Sequence, residues 1–468
     1  MAFRLREVRV GVAAIILTIS LVLSAVSESA RGVPSFAAQT GQPCTACHIG
    51  AFGPQLTPYG RAFKIGGYTQ AGGQGLLASI PLAATTITSF THTGSAQPAP
   101  PAPHFGDNNN PALDMVSVYL AGRATPWAGA FIQGTYSDVS RAFFLDQVDV
   151  RPVTTVYDIG DATLRIGITV NNNPTVQDPY NSTYVWGYPF VSSSLAPTPA
   201  AQPMIASALS ENAIGVTAYA WYDQHLYIEG GGYETMGPTL LHMVGHMLGA
   251  SPFGSTRNIA PYARLAYEWN WGKGSQSAHV GGLFLHSNFN PSINAYSVDG
   301  SLGHNGYSDF AIDAGYQFLG NRTHIFTAEG IYTNEQQHLN GSFNAGASSK
   351  PFNHLQQVRL TLTYYYQQTY GLTFAWQNTW GSANPLLYTP APVTGSANGK
   401  PNSNAFIMEA DWVPFGKADS LWRPLANLKL GIQGTIYTRF NGGTSNYDGF
   451  GRNAGANDTL FAFAWFAF

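Results

Sequence analysis

Apolar and polar residues alternate along most of the chain after residue 80. In 162–171 every second residue is apolar: Ala162, Leu164, Ile166, Ile168 and Val170. The same period of two recurs in 358–367 and 428–440. This period predicts β-strands with one face in an apolar environment and the other facing water or packed polar groups.

Turn signals divide this region into sixteen candidate strands. An even number is typical of closed antiparallel barrels in bacterial outer membranes. The predicted strands span residues 80–93, 112–124, 127–138, 143–157, 161–172, 213–223, 225–235, 258–271, 275–289, 308–319, 322–335, 355–368, 370–382, 404–414, 427–440 and 459–468.

The segments between the predicted strands differ in length. Even-numbered strands end in short links such as Thr125-Pro126, whereas most odd-numbered strands end in long segments such as 94–111 and 173–212. Outer-membrane barrels have short periplasmic turns and longer external loops, so we expect the long segments, 173–212 included, to be external. A short link near Arg141 follows the third strand and leaves the numbering of individual strands open.

The low charge of the chain indicates a membrane barrel. Charged residues make up 10% of the sequence and aromatic residues 13%, against about 25% charged residues in soluble domains. A soluble sandwich also alternates, but its outward face would be charged. No apolar stretch of helix length follows residue 30, so we predict an all-β fold, a porin-like, 16-stranded antiparallel transmembrane β-barrel in contact with outer-membrane lipid. The net charge of −3 gives no indication of nucleic-acid binding.

Residues 1–30 have the pattern of a secretory signal peptide. Arg4, Arg6 and Arg9 precede an apolar run, and small residues follow it. We place cleavage between Ser27 and Ala38. An uncleaved anchor is the alternative, although the run is short and interrupted for a span of about 20 residues. Both interpretations predict export.

The sequence Cys44-Thr45-Ala46-Cys47-His48 contains the only two cysteines of the chain. C-x-x-C-H is the attachment pattern of a c-type haem, in which both thiols bond the haem and the histidine binds the iron. A disulfide would close a loop too small to brace the fold. A thioredoxin-like pair lacks its strand and helix context, and a zinc site lacks further ligands nearby. We therefore predict one covalent haem c, held by Cys44, Cys47 and His48.

The motif lies in a short segment that precedes the first strand. We divide the exported chain into a monohaem cytochrome c-like plug, residues 31–75, and an outer-membrane β-barrel, residues 76–468. Only a short polar stretch joins the two parts. We therefore expect the haem segment to lie in the barrel lumen or at its periplasmic mouth.

Residues 36–68 resemble the amino-terminal signature of the fused monohaem cytochrome-porins, a family that includes outer-membrane iron oxidases of iron-oxidising bacteria. The resemblance rests on Phe36 to Gly41, on Cys44 to His48, and on Pro54 to Lys64 with Gly67-Tyr68. It implies a haem-bearing plug in a porin that transfers electrons from an extracellular donor such as Fe(II) to a periplasmic carrier, a cytochrome or a copper protein. Iron(II) oxidase activity is thus one hypothesis for this chain.

A second hypothesis stays open. In it the barrel is a solute porin, and the haem-bearing plug is a gate, a sensor or a structural element. Hydrolysis and group transfer have no support, because no nucleophile elbow, zinc motif or phosphate-binding loop stands out in the sequence.

Further residues of the predicted plug bear on the haem. Arg61 and Lys64 could pair with the haem propionates, because a cation beside a carboxylate stabilises its charged form. Ordinary surface charge is the alternative. The predicted plug contains no methionine, so the sixth iron ligand is open, with His92 and His104 as candidates and five-coordinate iron equally allowed.

Two other groups of polar residues lie in the predicted barrel. His242 and His246 fall four residues apart in a predicted loop helix, where they could bind a metal or simply accompany packing of the helix into the barrel mouth. Side chains that alternate inward could attract cations or form a paired charge network on the lumen wall. They are Glu409, Asp411, Asp149 and Arg151.

Overall fold

The computed structural model describes residues 34–245, 254–294, 297–417, 419–420 and 426–468. The predicted signal peptide lies outside these residues. Within them the main antiparallel sheet has 17 strands, and setting aside the two-residue loop strand Ser255–Thr256 leaves 16 long strands. These are β1 Leu82–Thr93, β2 Asn110–Thr125, β3 Ala128–Ser137, β4 Ala142–Ile159, β5 Ala162–Asn171, β6 Ala213–Tyr222, β7 Leu226–Thr235, β8 Ala260–Trp271, β9 Gln276–Asn290, β10 Asn305–Phe318, β11 His324–Leu339, β12 Phe352–Tyr366, β13 Tyr370–Gly381, β14 Ser403–Trp412, β15 Asn427–Arg439 and β16 Thr459–Ala467.

The strands close into a barrel because the last pairs with the first. Each long strand is antiparallel to its neighbours along the chain, and β16 pairs with β1 in a register that sets Thr85 opposite Ala467. The predicted 16-stranded antiparallel barrel is confirmed. Every predicted strand coincides with an observed strand, and the boundaries differ by only a few residues.

The connections sort by length onto the two ends of the barrel. Links after even-numbered strands are short, as at 126–127 and 160–161, and only 413–426 is longer. Links after odd-numbered strands lie at the opposite end, and the short link 138–141 is one of them. The odd-even pattern of link lengths therefore holds with two exceptions, the long link 413–426 and the short link 138–141, and the link near Arg141 does not disturb the strand numbering. We call the two ends the short-turn end and the long-loop end; short turns are typical of the periplasmic side.

Side chains alternate between the lipid face and the lumen along each strand. On β10 the outward residues Phe310 and Ile312 are 54% and 63% exposed, whereas the inward residues Asp309 and Asp313 are fully buried. Because the outer face is apolar and the inner face is polar, the alternation explains how a chain with so few charged residues is stable as a barrel in lipid.

Three short helices before β1 lie inside the short-turn end of the barrel. They are α1 Pro34–Thr40, α2 Cys44–Cys47 and α3 Pro58–Ile65. This part of the chain bonds to wall strands all around the lumen: Gln55 to Thr327 on β11, Tyr219 on β6 to Ile65 O, and Asn427 on β15 to Ala51 O. We call residues 34–68 the plug. None of the described helices is both long and apolar enough to cross a membrane.

The segment between β5 and β6, residues 172–212, is not an external loop. It folds into the lumen, where Tyr184, Phe190 and Ile205 pack against wall residues such as Leu283 and Phe289 of β9. The prediction of an external loop is wrong. The apolar and aromatic side chains of this segment are removed from water only when the segment turns into the lumen. A barrel of this width also has an interior that its wall side chains alone do not fill. We call residues 172–212 the inserted loop.

Candidate haem site

The C-x-x-C-H sequence forms one helical turn followed by extended chain. The backbone N–H of His48 donates to Cys44 O at 2.9 Å, which closes the turn. His48 is already extended, with φ −114° and ψ 139°. Because residues three apart share one side of a helix, Cys44 and Cys47 lie on the same side of the turn. No disulfide joins them.

Helix α3 packs directly on this turn. Thr57 caps α3, since its Oγ1 accepts from the Gly60 N–H at 3.2 Å and donates to Ala46 O at 2.6 Å. The Thr57 N–H also donates to Cys47 O at 2.9 Å. A Cβ at Gly60 would lie 2.3 Å from Cys47 O, so only glycine permits this approach.

A cavity of about 160 Å³ lies between the plug, the inserted loop and the barrel wall. Cys47 and His48 line it. Most of the other lining side chains are aromatic or aliphatic, among them Phe36, Phe52, Leu56, Phe63, Phe131, Val176, Trp186 and Trp465.

The protonation states of His48 and Cys47 are compatible with a covalent haem. Within the described part of the chain, buried His48 Nδ1 has no hydrogen-bond partner. Burial lowers the pKa of His48 to about 4, so the imidazole is neutral, as an iron ligand must be. Burial, and secondly Cys44, raises the pKa of the Cys47 thiol to about 12. Redox-active C-x-x-C pairs have lowered thiol pKa values instead.

Arg61 is buried, so the alternative of ordinary surface charge is wrong for it. Its Nη2 and Nε contact the Glu268 carboxylate of β8 at 2.8 and 3.0 Å. Its Nη1 donates to Leu56 O at 2.8 Å. The guanidinium does not line the cavity and ties α3 to the wall, so a propionate would compete with Glu268 for it.

Lys64 is buried as well and lines the cavity. Its Nζ donates to three acceptors of the inserted loop: Val176 O at 2.6 Å, Asp178 O at 2.7 Å and Asn181 Oδ1 at 2.8 Å. Asn181 Nδ2 donates in turn to Pro54 O of the plug at 2.6 Å. Lys64 and Asn181 therefore join the plug to the inserted loop beside the cavity.

The predicted lumen charges are paired. Arg151 contacts Asp149 at 2.9 Å on β4, and the plug residue Tyr68 donates to the same carboxylate at 2.6 Å. Glu409 and Asp411 both contact Lys429 of β15, at 2.9 and 3.4 Å. Of the two interpretations of these residues, the paired network is the one that the geometry matches. The described residues contain no cluster of three or more histidine, cysteine or acidic side chains placed to hold a metal ion.

The other predicted histidines that the structure describes lie away from the cavity. His92 and His104 are exposed near the connection between β1 and β2, at the long-loop end, and His92 Nδ1 is 2.8 Å from Asn109 Oδ1. His242 lies in helix α4, Pro238–Met243, of the connection after β7. His246 is outside the described residues, so the predicted pairing of these two histidines stays a prediction.

The likeness of the chain to known proteins is one of fold. No protein-family model matches it, and no curated protein sequence does. Among solved structures it is similar to OmpT of Vibrio cholerae, with 9% identity, a TM-score of 0.41, and 83% of this chain and 96% of that chain covered. It is also similar to the anion-selective porin from Comamonas acidovorans, with 10% identity, a TM-score of 0.43, and 82% and 98% covered.

A third similar structure is the outer-membrane channel DcaP of Acinetobacter baumannii, with 11% identity, a TM-score of 0.42, and 83% of this chain and 96% of that chain covered. At such low identity these likenesses describe the fold alone. The architecture that the structure itself shows is a closed, 16-stranded antiparallel barrel. The resemblance of residues 36–68 to the cytochrome-porins rests on the motif and stays a prediction.

Sequence reasoning missed the part of the cavity that the inserted loop and the wall supply. Val176, Asn181 and Trp186 come from the inserted loop, and Phe131 and Trp465 come from β3 and β16. One signal was available, because four aromatic residues between 180 and 188 are unusual in an exposed loop. Nothing in the sequence shows which wall positions meet the plug.

Proposed function

We propose that this protein transfers electrons across the outer membrane through one covalent haem c, attached to Cys44 and Cys47 with His48 as an iron ligand. One observation carries the proposal: Cys47 and His48 of a C-x-x-C-H turn line an aromatic cavity inside a porin-type barrel. The haem supplies one-electron chemistry at its iron. The chain supplies its position and its surroundings.

Each part of the cavity has a role in this proposal. The neutral imidazole of His48 is the iron ligand. The aromatic wall, including Phe63 and Trp186, excludes water from the macrocycle, which is a means of adjusting redox potential. Lys64 places a buried positive charge beside the cavity, whereas Arg61 keeps its ion pair with Glu268.

The direction of transfer that we propose is the one implied by the resemblance to the cytochrome-porins, and the ends of the barrel give the side on which the haem lies. The plug lies at the short-turn end, which in outer-membrane barrels faces the periplasm. We therefore assign the acceptor to a periplasmic carrier, a cytochrome or a copper protein, and the donor to an extracellular reductant. Fe(II) is the donor to test first, because the plug resembles that of outer-membrane iron oxidases.

A second candidate function is favoured by the fold. The barrel has the architecture of solute porins, so the plug and inserted loop could act as a gate, a sensor or a structural element. This function predicts ionic conductance that depends on movement of the plug. Electron transfer needs no open pore.

The two functions are separated by three measurements on one preparation. The full chain is produced in cells with haem-maturation machinery, and covalent haem is detected on a denaturing gel. Fe(II) is then added to the oxidised protein, and the α-band of reduced haem is followed. We expect rapid reduction, lost in His48→Ala and Cys47→Ala and retained in the control Thr45→Ala.

Conductance in planar bilayers completes the comparison. A closed barrel with reducible haem supports electron transfer. Reduction by other reductants but not by Fe(II) would keep electron transfer and remove iron as the donor. Large conductance without covalent haem would contradict electron transfer and favour the porin.

A further inference from the structure

The cavity beside His48 contains few groups that could bind a haem iron on the side opposite His48. In the part of the chain that the structure describes, its lining holds one imidazole, that of His48, and one thiol, that of Cys47. It holds one amine, that of Lys64, and no methionine. The side chains that usually complete a six-coordinate c-type haem are histidine and methionine.

Lys64 is engaged elsewhere. Its Nζ donates to Val176 O, Asp178 O and Asn181 Oδ1 at 2.6 to 2.8 Å. An ammonium has three N–H donors and no lone pair, so three such bonds use its whole capacity. Binding to iron would require the loss of a proton and the release of these acceptors.

The other described histidines are also accounted for. None lines the cavity. His225 lies in a turn outside the plug and bonds to Glu268 O at 2.7 Å, and His279 contacts Asp313 at 3.2 Å. His92 and His104 are near the opposite end of the barrel.

The described methionines are not on the cavity lining either. Met115 of β2 packs against the same cluster of buried residues as Trp465, a lining residue. The remaining ones are Met204 in the inserted loop, Met236 after β7, Met243 in α4 and Met408 on the lipid face of β14. Met1, His246 and Met247 lie outside the described residues.

We propose that, among the side chains that the structure describes, His48 alone binds the iron of a haem attached here, and that the opposite axial position takes small exogenous ligands. Carbon monoxide on the ferrous iron and cyanide on the ferric iron belong to this class. The aromatic pair Phe131 and Trp186, with ring centroids 6.3 Å apart, forms part of the cavity wall and suits a small, weakly polar ligand. The inference rests on the covalent haem of the proposed function.

The test is spectroscopic and uses the full-length protein in detergent, after covalent haem has been established on a denaturing gel. Without added ligand we expect a high-spin ferric spectrum. Carbon monoxide should shift the Soret band of the reduced protein, and cyanide should convert the ferric haem to low spin. A low-spin spectrum without added ligand, or failure to bind carbon monoxide, would overturn the inference while leaving the covalent haem intact.

Three variants identify a competing side chain. Lys64→Leu and Met115→Leu should leave the spin state unchanged, as should Lys273→Leu at an exposed turn, the matched control for the lysine. If the starting protein is low-spin and one of the first two variants becomes high-spin, that side chain is the ligand and the inference is wrong. Absence of any covalent haem would overturn this inference together with the proposed function.

Discussion

Arg61 of the plug and Glu268 of β8 form a buried, two-point ion pair, with Nη2 2.8 Å from Oε1 and Nε 3.0 Å from Oε2. Both side chains are 4% exposed. Ser277 and Gln317 accept further hydrogen bonds from the same guanidinium, so β8, β9 and β10 all hold α3. This contact keeps the helix beside the C-x-x-C-H turn.

The first prediction concerns this ion pair. Glu268→Gln leaves the Arg61 charge buried without its counter-ion, and breaking a buried pair costs about 3–5 kcal/mol. We expect amide hydrogen exchange in residues 58–65 to rise by roughly a hundredfold or more, because each 1.4 kcal/mol is about tenfold. Amides of β13 and β14, away from this contact, should keep their protection.

The control for this variant is Glu234→Gln, an exposed glutamate on β7. In this variant the amides of residues 58–65 should exchange at the same rate as in the starting protein. Equal exchange rates in the α3 amides of both variants would mean that the ion pair does not hold the plug.

The second prediction concerns Gly60. The Cβ of Gly60→Ala would lie 2.3 Å from Cys47 O and 3.1 Å from Cys47 Cα, both of them backbone atoms. Overpacking of this kind typically costs 1–3 kcal/mol, and here it separates α3 from the C-x-x-C-H turn. We expect faster proteolysis of the plug and a lower yield of covalent haem.

Gly434→Ala is the matched control, because a Cβ at Gly434 of β15 meets no atom within 4 Å. It should behave like the starting protein in both measurements. If Gly60→Ala gives the same plug proteolysis and haem yield as this control, the packing of α3 on the turn is not needed for the site.

The third prediction is a pH dependence of the inserted loop. Burial, and secondly the charge of Asp146 on β4, raises the pKa of Glu211 from 4.5 to about 8. Between pH 4.5 and about pH 8, Glu211 is protonated while the loop lies in the lumen and ionised once the loop leaves it. The inserted state is therefore most stable below pH 4.5 and loses this stability as the pH rises towards 8. Hydrogen exchange in residues 172–212 should increase across this window.

Glu211→Gln removes the titrating group and should flatten the dependence. The control Asp158→Asn, at an exposed position of β4, should retain it. A pH profile that is the same in Glu211→Gln and in the starting protein would rule out Glu211 as its cause.

The barrel was predictable because its signal is local. A period of two in 162–171 places Ile166 and Ile168 on the same face of the strand, independently of the rest of the chain. This apolar face is the one that contacts lipid. Most link lengths indicated the two ends in the same way, whereas the short link at Arg141 left the strand numbering open until the strand pairing was known. The C-x-x-C-H motif is also local, since its chemistry depends on five consecutive residues.

The inserted loop was not predictable from such signals. Its aromatic residues, among them Tyr184 and Tyr188, indicate that the loop is buried but not which surface buries it. An aromatic residue in a loop can be buried against a partner, a membrane or the lumen. Tyr184 donates to Thr361 of β12, a contact across 177 residues of sequence.

The sequence by itself thus determined the class of fold, the strand count and the place of the two thiols and the imidazole, because each depends on neighbours along the chain. Only the tertiary structure decided which residues surround His48. Arg61 meets Glu268 across 207 residues of sequence, and Lys64 meets Asn181 across 117. Such pairings depend on barrel closure and on how the plug and the inserted loop share the lumen. No pattern in either segment encodes its partner.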